Sequence, residues 1–484
     1  MNPLIATVTY VCGIAGLFYL NRDKSVRTSR ALWLPVIYLS IIGSRSAGDW
    51  LNMKPPAGTN VQLEGSPLDA AFFGILLLCA MGVLIYRGKK VRILLAANWP
   101  LLLYFGYCLI SVTWSEHPDV AFKRWIKAII DVAMAMVVVT DGQPVAAIRR
   151  LASRVGFVLL PMSLLFIKYF PALGRTSAPD GEMENTGVTT NKNILGVVLL
   201  VVCICTLWHL VGLLRDKAEN NRKQRLIAQG ILLAFGVVLL RTAHSATSTT
   251  CFALSGSLIL ATNHRAFWGN RRRVRGLSLA ILVFSAAAFL FSDQVTSAMG
   301  RSSTLSGRTE IWAVLLPFAP NPVLGAGFES FWISSAVEKV WGSLSRAGWW
   351  HPEILVTEAH NGYIEVYLNL GWVGLSLIAL ILVTGYMRAI AAIRRNPSLA
   401  GLSLALVMAS AVYGITEAGF RMLDPIWTYL LLAIAISSAV LTGVIRQGVA
   451  TARTVAHQDI TNPLASLAAT GSGNATAKQL FDRL

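Results

Sequence analysis

The sequence predicts an all-α fold, a polytopic transmembrane bundle of about 12–14 helices with one large external, partly helical loop. Three observations carry that expectation. Hydrophobic residues make up 55% of the 484 and charged residues only 14%, with a mean hydropathy of +0.58, far outside the soluble range. The apolar residues are gathered into long, continuous Leu/Val/Ala-rich runs rather than the alternating pattern of a barrel, and lipid admits only these two backbone solutions. The short basic clusters, finally, all fall on one side once those runs are read as spans.

In chain order the runs occupy 3–20, 31–44, 68–86, 93–113, 125–140, 151–170, 194–214, 226–241, 247–262, 277–292, 370–387, 401–418 and 426–445; the second, eighth and ninth are short for a span. With the N-terminus outside, the clusters at 22–30, 87–92, 149–154, 215–225, 265–275 and 388–395 lie inside, and with the tail they hold most of the 42 Lys and Arg residues. Basic loops stay cytoplasmic. The formal charge of +18 is therefore mostly topogenic and calls for no nucleic-acid partner. Residues 1–446 read as one membrane domain, 293–369 as a periplasmic loop within it, and 447–484, rich in Ala, Thr, Ser and Gly, as a disordered cytoplasmic tail. All six cysteines fall in predicted spans, so neither a disulfide framework nor a zinc site is implied. No basic stretch precedes the first apolar run, so a cleaved signal peptide is not expected.

Chemistry is expected in the external loop, which concentrates Arg301, Arg308, His351, His360 and several Trp residues. It carries GRTEIW from Gly307, NPVLGAGFESFW from Asn321 and EAHNGYIEVYLNLG from Glu358; upstream stand TGVTTNKNILG from Thr186 and RTAHSATSTT from Arg241. Across about 175–440, the order and spacing of these blocks resemble the O-antigen ligase and polymerase superfamily, nearest its exopolysaccharide-production polymerase branch. The resemblance implies a metal-independent glycosyltransferase without cofactor, in a bacterial inner membrane. It would move a glycan from an undecaprenyl diphosphate carrier to an acceptor glycan or lipid at the periplasmic face, among membrane lipids and other polysaccharide assembly proteins. Polymerisation of surface polysaccharide repeat units is the first reading. Ligation to lipid A core or a protein is the second. A lipid-linked glycan transporter, the competing class, should show two similar halves with interrupted helices, and no such repeat is visible.

The resemblance places an essential histidine in the block written here as AHNGY, making His360 the candidate base: a neutral imidazole can take the proton of an acceptor hydroxyl. Glu358 or Glu365 could orient its ring; no spacing rule says which. Departure of a lipid diphosphate builds negative charge, which arginine's planar fork suits. Arg308 is the first candidate for that task and Arg301, seven residues before it, the second. Snorkelling or pairing with Glu310 would explain the same arginines. Lys192, Arg175 and Arg241 are further diphosphate candidates, with Asn193 and Asn361 in support. Lys192 and Asn193 stand where a polar loop enters a span, although a capping Asn and a snorkelling Lys fit there too. Lys127 with Asp131, and Glu417 with Arg421, read as i,i+4 structural ion pairs. Gly325-Ala-Gly327 reads as a tight turn. No metal is expected; Asp180, Glu182 and Glu184 are the set that would overturn this.

Overall fold

The computed structural model describes residues 2–53, 65–177, 181, 183–217, 219–290, 306–346 and 356–445. Arg301, Asp180, Glu182, His351 and the tail at 447–484 lie outside them. The main helices are α1 (Pro3–Leu20), α2 (Trp33–Ile42), α3 (Pro67–Tyr86), α4 (Gly88–Ala97), α5 (Trp99–Ser111), α6 (Pro118–Val139), α7 (Pro144–Tyr169) and α8 (Lys192–Arg215). There follow α9 (Arg222–Thr242), α10 (Ala246–Asn263), α11 (Arg271–Leu290), α12 (Ser306–Leu315), α13 (Ser335–Arg346), α14 (Gly362–Ala392), α15 (Pro397–Thr416) and α16 (Pro425–Thr442). The protein is an all-α polytopic bundle.

Among the described residues, eight helices are long and apolar enough to cross a membrane, or nine if the bent pair α4–α5 forms one span. The other predicted spans are helical but fall short of that measure for visible reasons. Helix α2 has only 10 residues, α6 carries Lys123, Arg124, Lys127 and Asp131, α10 opens on ATSTT, and α11 opens on RRRVR. Burial ranks the helices. Of the apolar windows, 89% of α16, 83% of α8 and 78% of α15 are buried against 11% of α1, so the first three form the centre and α1 turns most of its surface outward. A helix apolar on every face suits either setting.

Side-chain contacts sort the connections into two ends. At one, Arg150 donates to the carbonyls of Asp23 and Val26, Arg225 pairs with Asp23 and Glu219, and Arg149 pairs with Glu219. Lys90 donates to the carbonyls of Thr140 and Asp141 there, and Ser29 N–H to the Asp141 carboxylate. At the other end, Arg308 reaches Thr416 and Glu417, Asn193 reaches Glu417, and Arg124 reaches Glu329. The alternation expected from the basic loops is thus reproduced by the packing. In a background with Cys12 and Cys79 replaced by Ala, Ser345→Cys should react with a membrane-impermeant thiol reagent on intact spheroplasts and Asn220→Cys should not. Reversed labelling would put the His360 end in the cytoplasm.

Three local differences from the sequence reading have physical causes. The run 93–113 is not one helix: α4 and α5 meet at 85°. Asn98 leaves helical geometry at φ −107°, ψ 39°, Pro100 opens the next helix, and the Asn98 amide oxygen accepts from Arg388 and Ser438. Helix α14 runs well beyond 370–387 and kinks at Gly371, φ 62°. There the NPVLGAG segment lies against the kink, with Trp372 N–H on Pro322 O and Gly327 N–H on Asn369 O. A Cβ on Gly371 would stand 2.2 Å from Val323 O, and one on Gly325 2.3 Å from Asn369 C, so these glycines serve close backbone approach rather than an isolated turn. Finally, the polar segment before α8 forms a small antiparallel hairpin, β1 (Arg175–Ser177) with β2 (Met183–Asn185).

The described part of the external loop has a small core of its own. Leu315 of α12, Phe331, Trp332, and Val337, Val340 and Leu344 of α13 pack together with Ala359. This fixes the segment leading into His360.

Candidate functional site

Three helix termini converge at this end of the bundle. Helix α15 stops at Thr416, and Glu417 takes an extended conformation, φ −144°, ψ 155°, so 417–424 runs as a loop. Asp424 closes it: its carboxylate accepts from Ile426 N–H at 2.8 Å and Pro425 occupies the first turn of α16, two ordinary helix-start signals. Asn361 caps α14, accepting from Tyr363 and Ile364 N–H at 2.9 and 3.0 Å, while its amide donates to Ile415 O at 2.9 Å. That second bond ties the start of α14 to the end of α15.

His360 precedes this cap in the left-handed region, φ 45°. For a residue with a Cβ this costs on the order of 1 kcal/mol, which the cap and the bond to Ile415 offset. The ring's Nδ1 lies 3.1 Å from Glu358 Oε1 and 3.6 Å from Glu417 Oε2. Neither contact is a formed hydrogen bond, so the attraction is mainly of charge. Burial works to lower the His360 pKa; contact with Glu417 and the charges of Glu358 and Glu417 outweigh it, against the opposing Arg308, and the pKa is raised. Nδ1 is thereby the nitrogen that keeps a proton, leaving Nε2 to exchange one.

Glu417 is the hub. Its side chain is only 8% exposed, and it accepts from Arg308 at 2.8 Å and from Asn193 at 3.1 Å while facing His360. Arg308 also donates to the Thr416 carbonyl. Across the loop, Arg421 lies 3.4 Å from Glu358 and 3.7 Å from Glu329. Glu329, itself at φ 50°, accepts from Met422 N–H at 3.2 Å. Asn193, Glu329, Glu358, Glu417 and Arg421 line a cavity of about 190 Å³. From below, buried Asp131 holds the loop by accepting from Leu423 N–H at 3.1 Å, and it also takes the hydroxyls of Tyr38 at 2.5 Å and Thr428 at 2.6 Å.

The structure therefore brings His360, Arg308, Glu358, Asn193 and Asn361 together from three separate stretches of sequence, around Glu417 from a fourth. The other diphosphate candidates stand elsewhere. Lys192 pairs with Glu184 at 2.5 Å, Arg175 donates to Ile167 O at 3.1 Å, and Arg241 is exposed at the end of α9. Asn191, not Asn193, caps α8, accepting from Ile194 N–H at 2.8 Å, which frees Asn193 for Glu417. Glu365 does not face His360; it accepts from Ala359 N–H at 2.9 Å and Trp332 at 2.6 Å. Neither expected i,i+4 pair forms among the described contacts. Asp131 is occupied by hydroxyls and a backbone N–H, and Glu417 and Arg421 lie past the helix end, where i,i+4 proximity no longer holds. Glu417, Arg421 and Glu329 are the residues that sequence reasoning missed as site members. The available signal was three ionisable residues, Glu417, Arg421 and Asp424, compressed between two apolar spans.

Glu358, His360 and Glu417 also bring donor atoms within 4.8 Å of one another, close enough to ligate a divalent cation. Arg308 and Arg421 already neutralise the two carboxylates. Of the acidic set flagged from sequence, only Glu184 is described, and it is paired with Lys192.

Comparison with known proteins bears on the same segment. Residues 229–379, which include Arg308, Glu358, His360 and Asn361 but stop before Glu417, match the family described as O-antigen ligase. The chain is also 28% identical over 293 residues to the exopolysaccharide production protein ExoQ of Rhizobium meliloti (strain 1021), an alignment covering 58% of this chain. It spans 62% of that relative's length. By these two matches the chain is similar to the O-antigen ligase family and to an exopolysaccharide production protein.

Proposed function

We propose that the protein is an inner-membrane glycosyltransferase that moves a glycan from a polyprenyl diphosphate onto an acceptor hydroxyl at the periplasmic face, without a metal. The observation that carries this reading is the His360 arrangement: a histidine whose Nδ1 faces two carboxylates, leaving Nε2 as proton acceptor, beside a cavity walled by paired charges. In the step, Nε2 takes the acceptor hydroxyl proton as that oxygen bonds the anomeric carbon. The carbon–diphosphate bond breaks, and the lipid diphosphate leaves with the electron pair. Exopolysaccharide production by the similar relative favours a growing lipid-linked glycan as acceptor over lipid A core or a protein.

The decisive test is release of free polyprenyl diphosphate by purified protein given lipid-linked glycan. A transporter would leave that bond intact. Release should persist in excess EDTA; loss restored by magnesium or manganese would instead make Glu358, His360 and Glu417 metal ligands.

The raised His360 pKa sets a pH dependence. A base must be neutral, so transfer should rise with pH through an inflection above the ordinary histidine value of about 6.5. Glu358→Gln removes one of the charges that stabilise the imidazolium and should shift the inflection to lower pH. Burial also pushes Asp424 up, to about 7. Asp424→Asn keeps a capping side chain and should leave the inflection in place; if it moves the inflection and Glu358→Gln does not, Asp424 is the titrating group.

A further inference from the structure

Between the first turns of α3 and α6 lies a cavity of about 490 Å³ that the transfer step leaves unused. Its wall is apolar, with Phe73, Gly74 and Leu77 from α3 facing Ile130 from α6. Its rim is cationic, formed by Lys123, Arg124 and Lys127 on successive turns of α6. Helix α3 is only 22% buried over its apolar window, and Ile75 and Leu78 beside the groove are more than half exposed, so the groove opens sideways toward lipid.

Two of these cations, Lys127 and Lys123, are little engaged by the fold, whereas Arg124 is held by it. Lys127 makes no hydrogen bond or ion pair among the described residues. Asp69 is near enough to act on it but also accepts from Gly48 N–H at 3.1 Å. Lys123 meets Asp119 at 3.5 Å with both side chains about two-thirds exposed, a pair of little worth in water. Met422 lines both this groove and the His360-side cavity. Arg124 at the rim donates to the Glu329 carbonyl, while the Glu329 carboxylate faces Arg421 in that cavity. The two spaces are neighbours across one side chain and one arginine.

Resting on the transfer reading, we infer that this groove holds the donor's lipid: an isoprenoid chain against Phe73, Gly74 and Leu77, and the diphosphate on Lys123, Arg124 and Lys127. The sugar then passes Met422 toward His360. Charge complementarity selects this occupant. A diphosphate diester carries two negative charges beside the three cationic side chains, and a long apolar isoprenoid tail needs a lateral opening rather than a closed pocket. Arg308 is left to neutralise Glu417, and the diphosphate contacts move to residues that lie outside the external loop.

The test measures binding of undecaprenyl diphosphate to the full chain in nanodiscs of neutral phosphatidylcholine. Lys127→Gln should weaken it about tenfold, as expected for losing a charge-assisted contact. Gly74→Phe should also weaken it, by filling the groove; a Cβ there meets nothing within 4 Å, so the helix should accept the ring. Thermal unfolding checks both variants, and Lys123→Gln serves as a second charge variant. Wild-type affinity in all of them overturns the inference, as does equal displacement by cardiolipin, which would mark an ordinary anionic-lipid site. Binding needs no turnover, so His360→Ala should bind as wild type does. If groove variants bind normally while polyprenyl diphosphate is still released from lipid-linked glycan, the groove assignment fails alone. If lipid binds but no diphosphate is ever released, the transfer reading fails instead.

Discussion

Replacing His360 with alanine is expected to lower glycan transfer by about 10²- to 10⁴-fold while leaving affinity for the lipid-linked donor close to wild type. The split follows from position. His360 faces Glu358 and Glu417, and none of these contacts belongs to the cationic groove between α3 and α6. Its left-handed backbone, φ 45°, complicates the alanine variant, because a folding defect would mimic a chemical one. Asparagine tolerates that conformation better than most residues, so His360→Asn should keep the fold and still lose the base. Equal loss of transfer in both variants, with donor affinity retained, supports the role. Near wild-type transfer in His360→Ala removes the base from the mechanism, and recovery in His360→Asn alone would show that the backbone, not the imidazole, matters.

The fold class was legible because membrane residence writes itself into composition: long apolar runs and one-sided basic loops need no tertiary information. The same runs hid the break at Asn98. A single polar residue before Trp-Pro carries little weight in a hydropathy pattern, and its bonds to Arg388 and Ser438 come from helices far along the chain. His360, Arg308 and Asn361 were legible through motif blocks. Their partner Glu417 was not, because in sequence it sits at the end of an apolar span, four residues before Arg421, where helical spacing suggests a self-contained pair. The helix ends at Thr416, before either residue, so helical spacing does not apply to them. Lys127 was misread for a related reason: proximity to Asp131 along the helix says nothing about Tyr38 and Thr428, which occupy that carboxylate from two other helices. Local spacing found the residue types. Partners far apart in sequence, up to 340 positions for Asn98 and Ser438, required the packing.

Arg308→Ala should also depress transfer, by about 10²-fold, but through Glu417 rather than through the donor. Arg308 supplies one hydrogen bond to Glu417 at 2.8 Å and another to the Thr416 carbonyl, so it both neutralises a carboxylate that is 8% exposed and holds the end of α15. Without it, the Glu417 charge acts on His360 unopposed. The imidazolium gains stability, and the pH inflection for transfer should move upward, opposite in sign to the shift expected for Glu358→Gln. Arg308→Lys should recover only part of the activity, because an ammonium on a flexible stem cannot serve the carboxylate and the carbonyl with one planar fork. The informative variant is the double one. If Arg308 acts by balancing Glu417, Arg308→Ala with Glu417→Gln removes the surplus charge together with its partner, returns the inflection toward lower pH and should transfer better than Arg308→Ala alone. If Arg308 instead grips the donor diphosphate, the double variant will be no better than the single one, and donor affinity will fall in both. Measuring the pH profile and donor affinity of all four proteins decides between the two roles, and a loss of donor affinity in Arg308→Ala larger than that in Lys127→Gln would return the diphosphate from the groove to the external loop.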